Sequence, residues 1–427
     1  MKNKTKWIIF TVIPVAVVLL LAAGTLLLYS GRSSHRLRIC IFSGNPWGTS
    51  ASVGDHVYTD LISQFEMQQG KYTIEVSVYP VGDYSELLAQ DILKGIEADV
   101  FMILPGDFAV LASVGILADL KPLIKESSFD LSVFYDNALK AGQYRNNQYA
   151  LPLELNPALM LMNLSILESF GLFPPDLSWN WADFSYYIQN VTTIGNDIPC
   201  YYGISNWTWF DAVYSNQQTL FSESGDQALC TEEGVVEATR YYQEICSLYE
   251  GVMVPDFDSG EVLFSPCTYA SYKTNAYFED KLSNPRDFKW TATTIPRGPR
   301  GNNAGELKVL LMGISSRSRN KQGAWEFLQF VSAGSGSSRK ILLESQGLPA
   351  NRNGLAEYMG TSSGEGFDAR LLETIINGSV VTPRFKKHTS ALEFLSDTIL
   401  NEQIHLETDI SDYLKNLNDA IDIFLKE

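Results

Sequence analysis

The segment YYGISNWTWF, Tyr201 to Phe210, places five aromatic side chains and one Asn within ten residues. A ring face can lie against the apolar face of a ligand, while Tyr and Trp tips can hydrogen-bond at its polar rim. Gly203, Ser205, Asn206 and Thr208 separate the rings. That spacing reads as a loop rather than a strand interior, where large apolar residues alternate with polar ones. Trp207 and Trp209 are therefore candidates for a surface that faces a ligand.

The chain has 427 residues, more than one hydrophobic core usually serves, so two lobes are the default expectation. Apolar residues make up 45% and charged residues 19%, an ordinary globular balance. A formal charge of −17 argues against nucleic acid or an anionic membrane surface as partner, since both require a basic face. Lys2, Lys4 and Lys6 precede WIIFTVIPVAVVLLLAAGTLLLY, uncharged from Trp7 to Tyr29. At helical rise this run is about 34 Å long, enough for a bilayer core of about 30 Å, and it exceeds the roughly 7 to 15 apolar residues of a secretory signal. Residues 1–30 are thus expected to form a transmembrane helix, an uncleaved anchor with the remaining chain outside the cell. Small residues at Ala22 and Gly24 leave cleavage as the alternative. Cys40, Cys200, Cys230, Cys246 and Cys267 form no CxxC pair, and their odd number leaves at least one unpaired or bridging to another chain. Only four histidines exist and none stands at ligand spacing from a cysteine, so neither a metal nor a cofactor is expected.

LRICIFSG alternates from Leu37 and breaks at Gly44-Asn45-Pro46, strand and then loop. Val53, Val57, Leu61 and Phe65 recur every four residues, an amphipathic helix ended by Gly70. Tyr72, Ile74, Val76 and Val78 alternate as a second strand, DYSELLAQDILKGI is helical, and ADVFMILP is a continuous apolar run suited to a covered parallel strand. Such alternation implies an α/β sheet with crossover helices. Ligands of these sheets sit beyond the carboxyl ends of the strands, where the loops GNPWGTS and PGDF fall. Trp179, Trp181 and Trp325, in helix-start and mid-helix motifs, are assigned to packing. Ile410, Leu414, Leu417, Ile421 and Leu425 form one helical stripe near the end of the chain.

ADVFMILPGDFAVLASVGILADLKPLI, QYALPLELNPALMLMNLSILESFGL, PPDLSWNWADF, GISSRSRNKQGAWEFLQFV and ESQGLPANRN resemble, in order and spacing, the extracellular solute-binding proteins of bacterial ABC importers. Within these, the chain is most similar to the carbohydrate-binding family that includes the maltodextrin-binding proteins. The resemblance runs from roughly Leu37 to Lys426. It implies an α/β, two-lobed periplasmic-binding-protein-like fold of type II with the ligand between the lobes. Lobe 1 is expected over 36–150 and 300–355 and lobe 2 over 151–299 and 356–427, with crossings near Ala150 to Leu153 and Ile295 to Pro299. A monomer is expected that binds a sugar or oligosaccharide without altering it and delivers it to importer permease subunits.

A sugar offers an apolar C–H face and a rim of hydroxyls, and its site needs ring platforms with planar donors and acceptors. Trp207 and Trp209 lie where the family carries an aromatic loop of its second lobe, with Asp211 as a hydroxyl partner and Trp209 as the stacking ring. Asn45 and Trp47 match its first ligand loop, and Asp107 a hydroxyl-binding acid. Asn156 aligns with a carboxylate facing the cleft, a departure that replaces a pure acceptor by a group that also donates. Tyr269 and Tyr272 stand where the family often has a stacking Trp. TPRFKKHTSALEF lacks the aromatic that maltodextrin-binding proteins carry there, which argues against maltodextrin itself. Two rivals use the same residue types: a membrane-tethered sensor of the same fold, and a glycoside hydrolase, which needs two carboxyls about 5 to 9.5 Å apart.

Overall fold

The structure is a computed structural model that describes residues 36–49, 56–193, 201–249, 252–282, 286–361, 369–383, 385, 387–402, 404 and 409–426. Strand β1 (Arg36–Ser43) pairs in parallel with β2 (Thr73–Pro80) on one side and with β3 (Val100–Ile103) on the other. Helices α1 (Val57–Gln69) and α2 (Tyr84–Lys94) make the two crossovers between them. Val57, Leu61 and Phe65 lie on the buried face of α1, and Gly70 ends it at φ 59, a left-handed value that costs glycine little. Val53 falls outside the described residues. β2 is the edge of the sheet, which leaves Val76 and Val78 well exposed.

A hairpin of β4 (Gln143–Tyr144) and β5 (Asn147–Gln148) leads into β6 (Ala150–Asn163), a 14-residue strand buried along nearly its whole length. The remaining strands are β7 (Tyr202–Ile204), β8 (Val262–Thr268), β9 (Trp290–Thr293), β10 (Leu307–Ile314) and β11 (Leu348–Pro349). The sheet runs β2-β1-β3-β10-β6-β8-β7, with β9 and β11 also paired to β6. Through Pro157, β6 pairs with β10, and from Ala158 it pairs with β8. One strand therefore serves both lobes.

Two hydrophobic cores lie along this sheet. The first gathers β1, β3, β10, α1 and α3 (Phe108–Ser113). Buried side chains of α4 (Trp181–Val191), α5 (Trp209–Ser215) and α6 (Glu233–Ser247) build the second. Helix α7 (Tyr269–Leu282) continues directly from β8, and α8 (Ser335–Glu344) packs on the first core. Leu371, Leu372, Ile375 and Ile376 of α9 (Ala369–Gly378) also join the first core, although the stretch 356–427 is expected in the second lobe. α10 (His388–Glu402) and α11 (Ile410–Lys426) pack on the second, with Ile410, Leu414, Leu417 and Ile421 inward.

Three chain segments meet where the lobes join. Ala158 N–H donates to the Glu306 carbonyl at 3.0 Å, Leu307 N–H to Val380 at 2.8 Å, and Val380 N–H to Gly305 at 2.9 Å. A Cβ on Gly305 would stand 3.0 Å from that of Ala158, so glycine permits the close approach. The crossings thus fall at 156–158 and 305–307, downstream of the positions expected near Ala150 to Leu153 and Ile295 to Pro299. Residues after Ile295 still belong to the second lobe: Arg297 N–H donates to Trp179 and Gly298 N–H to Ser215.

Among the described residues no helix is long and apolar enough to cross a membrane. The expected anchor over 1–30 lies outside the described residues. Cys40, Cys230, Cys246 and Cys267 are free thiols, and Cys200 also lies outside.

Candidate functional site

On one face of the crossing lies a cavity of about 610 Å³. Asn156 and Ala158 share a face of β6, as alternate strand residues must, and line it together with Glu306 and Lys308. The opposite wall comes from the start of α5, and Thr268 and Ser271 at the β8–α7 junction complete that side. Leu392, Glu393 and Ser396 of α10 also line it.

The chemistry of the α5 wall follows from its helical phase. Thr208 is the N-cap, its hydroxyl accepting from Asp211 N–H at 3.2 Å, while Asp211 Oδ2 accepts from Thr208 N–H at 2.9 Å. This capping box starts the helix at Trp209. Phe210, Asp211 and Tyr214 line the cavity, Tyr214 with its ring also buried in the second core, while Trp209, Ala212 and Val213 point wholly into that core. The Phe210 and Tyr214 rings stack at 6.2 Å and 29°. Burial pushes the Asp211 carboxyl up to about 6; the Thr208 hydrogen bonds oppose this, Glu306 adds to it and Lys308 opposes it.

Of the residues expected to bind ligand, Asn156 and Asp211 line this cavity. Asn156 is 1% exposed, and its Oδ1 accepts from Ala270 N–H at 2.9 Å, which anchors the first turn of α7. The structure places Trp207 and Trp209 in the second core, outside the cavity lining. Trp209 is 1% exposed and donates Nε1–H to Thr239 Oγ1 at 2.8 Å; Trp207 packs on Phe184 at 5.1 Å between centroids. Within the stretch expected as a loop, Tyr202–Ile204 form β7, Ser205 to Thr208 are irregular, and a helix begins at Trp209, whose phase turns the ring inward.

The other five side chains stand outside the cavity lining. Tyr269 is buried against the first core, and Tyr272 packs on Trp290 at 5.4 Å. Asn45 organises its own turn, accepting from Trp47 N–H at 2.8 Å and donating to the Thr49 carbonyl at 3.1 Å. Trp47 donates its indole N–H to Glu154 at 3.2 Å. Asp107 accepts from the Ser85 hydroxyl at 2.6 Å, and burial raises its carboxyl above the usual range despite that bond. Trp179, Trp181 and Trp325 are all buried.

Phe210, Tyr214, Glu306 and Lys308 are the residues that sequence reasoning missed. The signal for the first two was present as Thr208-x-x-Asp211, the pattern of a capping box. A second cavity, of about 960 Å³, opens at the opposite end of β1 around Arg38, Glu97, Asp99 and Arg317. Arg38 pairs there with Asp99 at 3.7 Å and Arg317 with Glu97 at 3.5 Å, so much of its charge is neutralised internally. It also lies away from the loops that follow the parallel strands, the usual ligand position.

Residues 60–361 match the bacterial extracellular solute-binding protein family. The chain belongs to this family. Membership places it among binding proteins rather than enzymes, with its folded part extracytoplasmic. This solute-binding protein is similar to the sugar-binding protein MalE of Xanthomonas citri, with TM-score 0.74 and 14% identity over 92% of this chain and 97% of that one. It is likewise similar to the cyclic alpha-maltosyl-1,6-maltose binding protein of Arthrobacter globiformis, with TM-score 0.73 and 15% identity over 92% and 99%. An ABC substrate-binding protein of Listeria monocytogenes in complex with cycloalternan gives TM-score 0.67 and 19% identity over 92% and 99%. These likenesses establish the two-lobed fold. Among its described residues, no group of three His, Cys, Asp or Glu side chains is placed to hold a metal ion.

Proposed function

We propose that this solute-binding protein captures a sugar or oligosaccharide in the cavity at the strand crossing and delivers it to the permease subunits of an ABC importer. The observation that carries this reading is the stacked Phe210–Tyr214 pair beside Asp211 and Asn156. Rings can cover the C–H face of a sugar, while a carboxylate and an amide meet its hydroxyls. The cavity volume of about 610 Å³ suits a small-molecule site. Proteins of similar fold bind cycloalternan and a cyclic maltosyl-maltose, which supports a carbohydrate. The run from Trp7 to Tyr29 serves as the membrane anchor, with the binding lobes outside.

A thermal-shift screen of the full chain against mono- and oligosaccharides, polyols and polyamines tests the ligand class. A sugar at 100 times its dissociation constant should add about 2.7 kcal/mol of stability. Stabilisation by polyamines alone would overturn the carbohydrate reading. Sequencing the mature N-terminus tests the anchor, since a chain that begins beyond Ser30 has lost it.

A further inference from the structure

We infer that Lys273, on the helix that follows the cavity wall, is a positioning residue that latches the two lobes together over the ligand cavity. The inference rests on the cavity being the ligand site. Lys273 projects from α7, which continues β8 beyond the crossing even though its Tyr269 reaches the first core, and its Nζ donates to the carbonyls of Leu342 and Ser345 at the end of α8, on the first core. A helix C-terminus presents unpaired carbonyls with partial negative charge, and an ammonium is suited to cap them. Ser345 then relays the contact, its hydroxyl donating to Glu154 Oε1 at 2.7 Å. Glu154 is 1% exposed and also accepts from Tyr58 at 2.6 Å and Trp47 at 3.2 Å. Burial pulls the Lys273 amine down to about 8 while Glu154 pulls it back, so it keeps its charge at neutral pH. One residue along, Thr274 contacts Gln346 at 2.9 Å and Thr49 at 3.1 Å, both belonging to first-lobe segments.

Strand geometry connects this cluster to the ligand site. Glu154, Asn156 and Ala158 alternate onto one face of β6; Glu154 enters the cluster, while Asn156 and Ala158 line the cavity. Because α7 follows the far half of β6 and α8 packs on the first core, a hinge motion at 156–158 would shift α7 relative to α8. The same helix begins at the cavity, where Asn156 holds Ala270. Lys273 thus fixes the height at which Thr268 and Ser271 meet a ligand.

Amide hydrogen exchange of the unliganded full chain, read by mass spectrometry, tests the latch without needing a ligand. Lys273→Met should speed exchange about tenfold in peptides 269–275 and 342–347, with β1 and α6 unchanged, and Lys273→Arg should restore most of the protection. Unchanged exchange at both faces overturns the proposal, as does a uniform rise across all peptides, which would mark simple loss of stability. Should Lys273→Met fail to fold, Thr274→Val carries the same test, with the same two peptides and the same opposing outcomes. Failure of the latch leaves the sugar screen untouched, because no sugar is present in this measurement.

Discussion

Trp209 donates its indole N–H to the Thr239 hydroxyl across 2.8 Å, and Thr239 in turn donates its O–H to the Val235 carbonyl at 2.7 Å. The relay ties the first residue of α5 to the middle of α6, deep in the second core. Phe210, the next residue, faces the cavity. Neighbours on a helix diverge by about 100°, so one ring enters the core and the other lines the cavity.

This division predicts opposite phenotypes. Trp209→Ala should cost about 3 to 5 kcal/mol of stability, the range for truncating a buried aromatic, while the folded fraction binds sugar normally. Phe210→Ala, at a half-buried ring, should cost clearly less stability than Trp209→Ala and weaken binding by about 1 to 3 kcal/mol. Melting curves and calorimetric titration with the tightest-binding sugar of the screen separate the cases. Normal binding by Phe210→Ala would remove the ring platform from the proposed site.

Asn156 supports a second prediction, because its one buried oxygen joins the cavity floor to α7. Asn156→Leu strands the Ala270 N–H without its acceptor, at about 1 to 3 kcal/mol. Asn156→Asp keeps an acceptor and adds negative charge near Asp211 and Glu306, so it should fold with less loss but push the Asp211 carboxyl still higher. Comparing chemical denaturation of the two variants checks the order. Equal stability would mean that the Asn156 contact carries no net weight.

Local signals were legible where local physics decides. The alternation of LRICIFSG and the four-residue spacing of Val57, Leu61 and Phe65 place β1 and α1, since each buries its apolar face on the same core. The crossing was hard to read, because β6 is apolar on both sides of Pro157 and only Asn156-Pro157 within ALPLELNPALMLMN marks the change of partner from β10 to β8. Glu306 and Lys308 come to the cavity from a strand about 150 residues beyond Asn156 in sequence. Only the sheet register brings them together. Trp209 misled because its small polar neighbours suggest a loop, whereas Thr208 and Asp211 act together as a cap.

Asp211 gives a prediction with a definite sign. Its carboxyl titrates near about 6 in the fold against an ordinary value of 3.8, with burial as the largest cause. A raised carboxyl pKa means that the folded state binds the proton more tightly than the unfolded chain does. The resulting stabilisation is full below the unfolded value and is lost as pH rises through the folded one. Wild-type protein should therefore lose ground to Asp211→Asn between about pH 4 and pH 7, and the difference should level off above that window. Asparagine keeps an oxygen to accept from Thr208, so the α5 cap survives the substitution. Melting temperatures of both proteins across this range give the result directly. A constant difference at every pH would show that Asp211 titrates normally, and the cavity floor would then be wetter than its packing implies.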